Sequence, residues 1–224
     1  MKNIAIIPAR GGSKRLPNKN ILNLGGIPLI AHSILYAKKN SSIIDEIYVS
    51  TDDISIKKIA IEYGVKVIDR PEKLSGDFEP TVSALKHVLE CIENKVDNVI
   101  LLQATNPLRP ENLIEAAFDF YQKENLDSLF SVSRNHYKLG KIIQNIFHPF
   151  NYSSGQRSQD LEPLFFENGL LYISKATSIL QEIIITKNAF PYQVNSIFAD
   201  VDIDTLEDLE YAEYLYQKHF TKNL

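Results

Sequence analysis

The chain has a single cysteine, Cys91, so no disulfide can form within it, and a reducing compartment such as the cytoplasm is expected. No run approaches the roughly 18 apolar residues that a membrane span requires. Met1-Lys2-Asn3 leads into a short apolar run ending at Pro8, not into a secretory leader. Internal repeats and low-complexity tracts are missing. His32, His87, His136, His148 and His219 are scattered without metal-ligand spacing, and no Ser-His-Asp or Cys-His arrangement is present, which argues against covalent catalysis. Cys91 is expected to be a small buried residue in a helix. With 224 residues, 44% hydrophobic and 23% charged, the chain is expected to bury one core without staples, as a single α/β domain over 1–224.

Acidic residues are also missing from one region. Residues 1–44 hold seven basic residues and no Asp or Glu, which leaves 17 basic against 28 acidic in the remainder. Four of those cations (Arg10, Lys14, Arg15 and Lys19) cluster together. A local positive field on an acidic chain suits a small polyanion better than a nucleic-acid groove, although a solvated basic loop would look similar.

Apolar runs alternate with amphipathic stretches through the first half. Strands are expected at Ile4–Pro8, Glu46–Ser50, Lys66–Asp69, Asn98–Gln103 and Ser128–Val132. Helices are expected at Pro28–Asn40, Asp53–Tyr63, Thr81–Glu93 and Pro110–Lys123. This alternation predicts a mostly parallel sheet flanked by helices, with ligands beyond the carboxyl ends of the strands. The rhythm changes after Ser133. Residues 134–165 read as polar and aromatic loop, Leu170–Ile173 and Gln193–Phe198 as strands, and Thr205–His219 as a closing helix. The span 134–198 is therefore expected to be an inserted flap.

The first strand leads into Pro8-Ala9-Arg10-Gly11-Gly12-Ser13-Lys14-Arg15-Leu16-Pro17-Asn18-Lys19-Asn20. Adjacent glycines let backbone N–H groups approach an anion, and Arg10, Lys14 and Lys19 can add cationic arms. The loop matches neither G-x-x-x-x-G-K-[ST] nor G-x-G-x-x-G. Near the far end, Asp200-Val201-Asp202-Ile203-Asp204 alternates acid and apolar residues. If this piece is extended, Asp202 and Asp204 share a face, where a cation such as Mg²⁺ would relieve their repulsion. The other reading is helix capping, with Asp204 or Thr205 as N-cap.

The run IIPARGGSKRLPNKN resembles the N-terminal signature of the acylneuraminate cytidylyltransferase family, which makes CMP-sialic acids and related CMP-nonulosonates. Later blocks are similar in the same order: Leu101-Leu102-Gln103-Ala104-Thr105-Asn106-Pro107-Leu108-Arg109, Asn168-Gly169-Leu170-Leu171-Tyr172-Ile173 and Asp202-Ile203-Asp204-Thr205. The resemblance implies a Rossmann-like nucleotidyltransferase fold and a homodimer held partly by the flap. It implies CTP and a nonulosonic sugar acid as substrates, and Mg²⁺ (or Mn²⁺) on Asp202 and Asp204. No nucleic-acid or membrane partner is expected.

Carried over by position, Arg10, Lys14 and Lys19 would hold the triphosphate, with Ala9, Gly11, Gly12 and Ser13 beside them. Asn20, Arg70 and Thr81 would lie around cytosine and ribose, and Gln103 would face the sugar acid. The implied reaction is attack of the anomeric hydroxyl on the α-phosphorus, with pyrophosphate leaving. Rival readings are a Kdo or sugar-1-phosphate nucleotidyltransferase and a non-catalytic nucleotide-binding subunit.

Four residues depart from the pattern. Gln156-Arg157-Ser158-Gln159-Asp160-Leu161-Glu162-Pro163 is similar to the family's R-R-Q-D-L-P-P, with Ser158 where the second arginine falls and Glu162 in place of a proline. Arg157 and Gln159 are expected to reach the substrate, Arg157 taking over the missing guanidinium. Ala104 and Asn106 replace a proline and a serine, and both changes read as mild.

Overall fold

The computed structural model describes residues 1–221. Strand β1 (Asn3–Pro8) sets the layering. Its alternate side chains enter opposite faces of a central sheet, as the period of two requires. Ala5 and Ile7 pack with residues of α1 (Leu29–Lys39), α2 (Ile54–Glu62) and α4 (Leu113–Lys123). Ile4 and Ile6 pack on the other face with α3 (Thr81–Cys91) and the short α5 (Ala176–Leu180). Burial on both faces is what makes this strand read as continuous apolar sequence.

Between β1 and α1 lies a small hairpin of β2 (Asn23–Leu24) and β3 (Ile27–Pro28). The main sheet continues with β4 (Glu46–Thr51), β5 (Lys66–Asp69), β6 (Asn98–Leu101) and β7 (Ser128–Arg134). A second hairpin, β8 (Gly140–Ile143) and β9 (Ile146–Pro149), precedes β10 (Phe165–Lys175) and β11 (Phe190–Gln193). The seven-stranded order is β11-β7-β10-β6-β1-β4-β5, parallel except for β10, which runs antiparallel to both neighbours.

Much of the span expected as a flap is sheet. β10 sits between β6 and β7, and β11 forms the edge. Only about the segment 135–164 stands off. That segment was expected to be loop but contains the β8–β9 hairpin, whose two-residue turn places Gln144 at φ 49° and Asn145 at φ 64°. Both central residues are left-handed, as a type I′ turn needs, but Gln-Asn lacks the glycine that usually announces one. The strand expected at Gln193–Phe198 is displaced: β11 ends at Gln193, and Ile197–Asp200 is a 3₁₀ turn opened by Ser196, whose hydroxyl accepts from Phe198 N at 3.2 Å. Pro191 is tolerated because β11 is an edge strand. Cys91 is exposed, correcting the expectation of burial, since it falls at the last position of α3.

A third apolar cluster positions the chemistry. Leu16 from the basic loop, Leu24, Leu29 and Leu108 meet Val201 and Ile203, under Ala212 and Leu215 of α6 (Leu206–Phe220). Val201 and Ile203 point inward, and Asp202 between them points out. The apolar members of the alternating acidic segment therefore anchor it, and the acids are left to face the cleft.

Candidate active site

Two clefts open where β1 and β6 release their chains and β10 enters the sheet. The first, about 560 Å³, is bordered by the basic loop after β1, by the lip between β5 and α3, by Gln103 and by Asp204. The second, about 1100 Å³, is bordered by β10, by the base of the β8–β9 hairpin, by Gln103 and by Asp202. Gln103 borders both.

The basic loop is pinned at its ends. Ala9 N donates to Ser50 O at 3.0 Å, and Asn20 Nδ2 donates to Arg10 O at 2.9 Å, so the buried Asn20 fastens the turn that presents Arg10. Gly11 has a different job from the one expected. Its N–H donates to Asp52 Oδ1 at 3.0 Å, and a Cβ there would lie 2.7 Å from the Asp53 carboxylate. Asp53 caps α2 by accepting from Ser55 N and Ile56 N. Glycine is required at this position because the loop crosses a helix cap. Gly12 has open space around it, and neither glycine borders the first cleft, whereas Ala9, Arg10, Ser13, Lys14, Lys19, Asn20, Arg70 and Thr81 all do.

The cations arrive paired. Arg10 Nη2 lies 2.9 Å from Asp77 Oδ1, and Lys14 pairs with the same carboxylate. Lys19 Nζ and Arg15 Nη2 approach Asp204 at 2.8 and 2.5 Å. Arg70 is buried. Its Nε donates to Ser50 Oγ at 3.0 Å and its Nη2 to Ser50 O at 2.5 Å. Burial lowers its pKa to about 10, which leaves it fully charged at neutral pH.

The Asp204 carboxylate faces the loop cations and is not the helix cap. Thr205 caps α6: its hydroxyl accepts from Asp208 N at 3.3 Å, while Asp208 accepts from Thr205 N at 2.8 Å. Asp202 points outward, yet enough protein surrounds its carboxyl that burial raises its pKa. The charge of Asp204 adds to the rise, and Thr105 and Lys19 oppose it. Across the second cleft Tyr172 donates its hydroxyl to Glu167 at 2.6 Å and receives Gln103 Nε2 at 3.3 Å. Burial, then the bond to Glu167, pushes the Tyr172 phenol well above its usual value.

Arg157 and Gln159 are not brought to either cleft. Arg157 is exposed and makes a two-pronged pair with Asp160, at 2.7 and 3.1 Å, within its own turn. The structure does not place it where the missing arginine was expected. Two residues carry weight that the sequence did not disclose. The Asn106 amide, read as a mild change, donates to Asn168 O at 3.2 Å and Val201 O at 2.9 Å, tying the Gln103 loop to β10 and to the acidic segment. Gly169 (φ 74°), in the bulge that shifts the β10–β7 register between Glu167 and Tyr172, makes room for it, since a Cβ there would lie 2.6 Å from Asn106 Oδ1. Arg109 is fully buried and donates to Leu170 O, Ser33 Oγ and Gln103 O at 2.8, 3.0 and 2.7 Å.

Residues 4–223 match the cytidylyltransferase family. Among curated relatives, a pseudaminic acid cytidylyltransferase of Campylobacter jejuni is 36% identical over 97% of both chains. A CMP-N,N'-diacetyllegionaminic acid synthase of Legionella pneumophila is likewise 36% identical over 97% of both. An N-acylneuraminate cytidylyltransferase of Streptococcus agalactiae is 36% identical over 93% of this chain and 52% of its own length. A solved CMP:2-keto-3-deoxy-manno-octonic acid synthetase, complexed with CTP, superimposes with a TM-score of 0.75 over 97% of this chain and 99% of its own, at 19% identity, a likeness of fold. The glycine-containing basic loop, the Gln103 turn, the β10 bulge and the paired acids thus lie within one family match that spans nearly the whole sequence, and the chain belongs to the cytidylyltransferase family, as a nucleotidyltransferase of the acylneuraminate type.

Proposed function

We propose that this protein transfers CMP from CTP to the anomeric hydroxyl of a nonulosonic, sialic-acid-type sugar and releases pyrophosphate. The observation that carries the reading is the junction of the two clefts. A cationic cleft able to hold a triphosphate meets a larger, aromatic and hydrogen-bonding cleft at Gln103, with Asp204 bordering the first and Asp202 the second. A nucleotide held by Arg10, Lys14 and Lys19, with Arg70, Asn20 and Thr81 at its nucleoside end, would present its α-phosphorus toward that junction. Gln103 would orient the acceptor, assisted by Tyr172.

The transfer is direct displacement, with the loop cations stabilising the charge that develops on the departing pyrophosphate. Asp202 and Asp204 offer hard oxygen ligands close enough for the charge of Asp204 to perturb Asp202, a donor set that fits Mg²⁺ or Mn²⁺ retaining waters and substrate oxygens. When bound, such an ion supplies charge neutralisation and polarisation of the attacking hydroxyl. We place the reaction in the cytoplasm.

Three relatives of equal identity act on three different sugar acids, so overall similarity does not choose the acceptor. The deciding experiment is pyrophosphate release from CTP and Mg²⁺ with N-acetylneuraminate, legionaminate, pseudaminate and Kdo in turn. Release is expected with a nonulosonate. Release with Kdo alone, or with none of them by a protein that binds CTP, refutes the reading.

We also assign the β8–β9 hairpin to a homodimer contact. Ile142, Ile143, Ile146 and Phe147 are all more than half exposed on it, an apolar cross-strand pair on each of its two faces. A dimeric mass by light scattering is expected, with dissociation in Ile142→Asp. A monomeric wild-type mass removes the assignment.

A further inference from the structure

We propose that Asp77 is a built-in stand-in for phosphate, a carboxylate that holds Arg10 and Lys14 in this conformation and competes with the nucleotide's phosphates and with pyrophosphate for them. The proposal rests on the CTP reading and extends it to how the cationic cleft is occupied and emptied.

Asp77 lies on the lip between the 3₁₀ turn Glu72–Leu74 and α3, and it borders the same cleft as the cations it holds. Five cations border that cleft: Arg10, Lys14, Arg15, Lys19 and Arg70. Cations so placed repel one another unless a counter-charge lies between them. Asp204 neutralises Lys19 and Arg15, and Asp77 neutralises Arg10 and Lys14. Each carboxylate bridges two cations, as a phosphate oxygen set would.

The two carboxylates differ in how they are fixed. Asp204 stands between the buried Ile203 and the N-cap of α6. Asp77 has ion pairs as its only side-chain partners among the described residues, with no backbone N–H holding its carboxylate. The acids packed against Gly11 of the basic loop are fixed that way, Asp52 by Gly11 N and Asp53 by Ser55 N and Ile56 N. The Asp77 lip meets the basic loop at one further bond, from Arg10 Nη1 to Ser75 O at 3.3 Å. Next to it Gly76 has room for a side chain, and Phe78 is fully exposed. Lys14 is mostly exposed as well, so both members of that pair can part without disturbing a core. The two cations lower the Asp77 pKa, Lys14 most, so the carboxylate remains ionised and competitive at neutral pH.

An anion of one charge held by half-exposed pairs yields to a triphosphate of higher charge. It remains beside the site, ready to take the cations back as pyrophosphate departs. Asp77 would thus weaken ground-state binding of phosphates and speed product release.

The test is calorimetric binding of CTP and, separately, of inorganic pyrophosphate to wild type and Asp77→Asn, without acceptor. Asp77→Asn is expected to bind pyrophosphate about tenfold more tightly, or about 1.4 kcal/mol, and to show a matching drop in the pyrophosphate inhibition constant. The gain should vanish in the Arg10→Ala/Lys14→Ala background, where both contested cations are gone. Asp77→Ser should behave as Asp77→Asn does. Unchanged or weaker pyrophosphate binding in both variants overturns the proposal while CTP binding by wild type leaves the nucleotide reading intact. A wild type that binds neither CTP nor pyrophosphate overturns both.

Discussion

Asp202→Asn is expected to lower kcat at least about a hundredfold, about 2.7 kcal/mol of barrier, and at the same time to raise the thermal midpoint measured at pH 7 without divalent cations. The two effects have one cause. The Asp202 pKa is raised, first by burial and then by the charge of Asp204. An acid whose folded pKa exceeds its unfolded value favours the folded state while protonated. That favour is lost as pH rises from the unfolded pKa through the folded one. At pH 7 the ionised Asp202 therefore works against folding, and a neutral amide of the same shape removes the cost. A carboxylate maintained against stability at the junction of two clefts is what a cation-binding role predicts. Asp204→Asn should also stop turnover but should lower the midpoint, because Lys19 and Arg15 lose their shared partner. Steady-state kinetics and melting curves for both variants read this directly. An Asp202→Asn enzyme keeping more than about a tenth of wild-type kcat, a loss under about 1.4 kcal/mol, would take Asp202 out of the chemistry.

The parts of this molecule that sequence discloses are those governed by local periodicity. β1, β4, β5 and β6 could be placed from apolar runs ending in turn residues, and α2 from the Asp53 cap and Gly64 (φ 66°). The acidic segment was legible too, because its alternation is resolved in three dimensions as anchors inside and acids outside. What could not be read depends on pairing across the chain. The strand expected at Leu170–Ile173 is part of β10, but its place in the main sheet, antiparallel between β6 and β7, has no distinguishing local signature. Gly11 announces a tight approach but not what it approaches, and the neighbour is Asp53, not a ligand. Asp77 sits in no motif. Its meaning comes from the cations it meets, more than sixty residues earlier in the chain. Arg157 marks the same limit from the other side, a plausible arginine in sequence that is spent on Asp160.

Arg109→Met is expected to destabilise the fold by about 3–5 kcal/mol, the scale for removing one partner from a buried charged network. Arg109 is a buried guanidinium with no carboxylate partner among the described residues. Burial lowers its pKa to about 10, still well above neutrality, so it is held charged by three acceptors and by the Tyr36 ring 5.6 Å away. Hydrogen bonds to a charged group contribute about 1.5–3 kcal/mol each, enough in combination to offset desolvation. Methionine fills much of the volume but donates nothing, leaving Leu170 O without this donor at the β10 bulge and Gln103 O with the longer bonds from Ser33 Oγ at 3.2 Å and Asn106 N at 3.3 Å. At about 2–4 °C per kcal/mol for a domain of this size, the midpoint should fall by about 10 °C. Lysine is not a conservative replacement, because one ammonium cannot span three acceptors in a fixed fork. Arg109→Lys should fold, yet it loosens the Gln103 turn. Its KM for the acceptor should therefore rise while its KM for CTP stays near wild type, a split that a general loss of stability would not produce. Urea unfolding of Arg109→Met within about 1 kcal/mol of wild type, the scale of an ordinary point substitution, would show that the buried guanidinium does not hold the junction together.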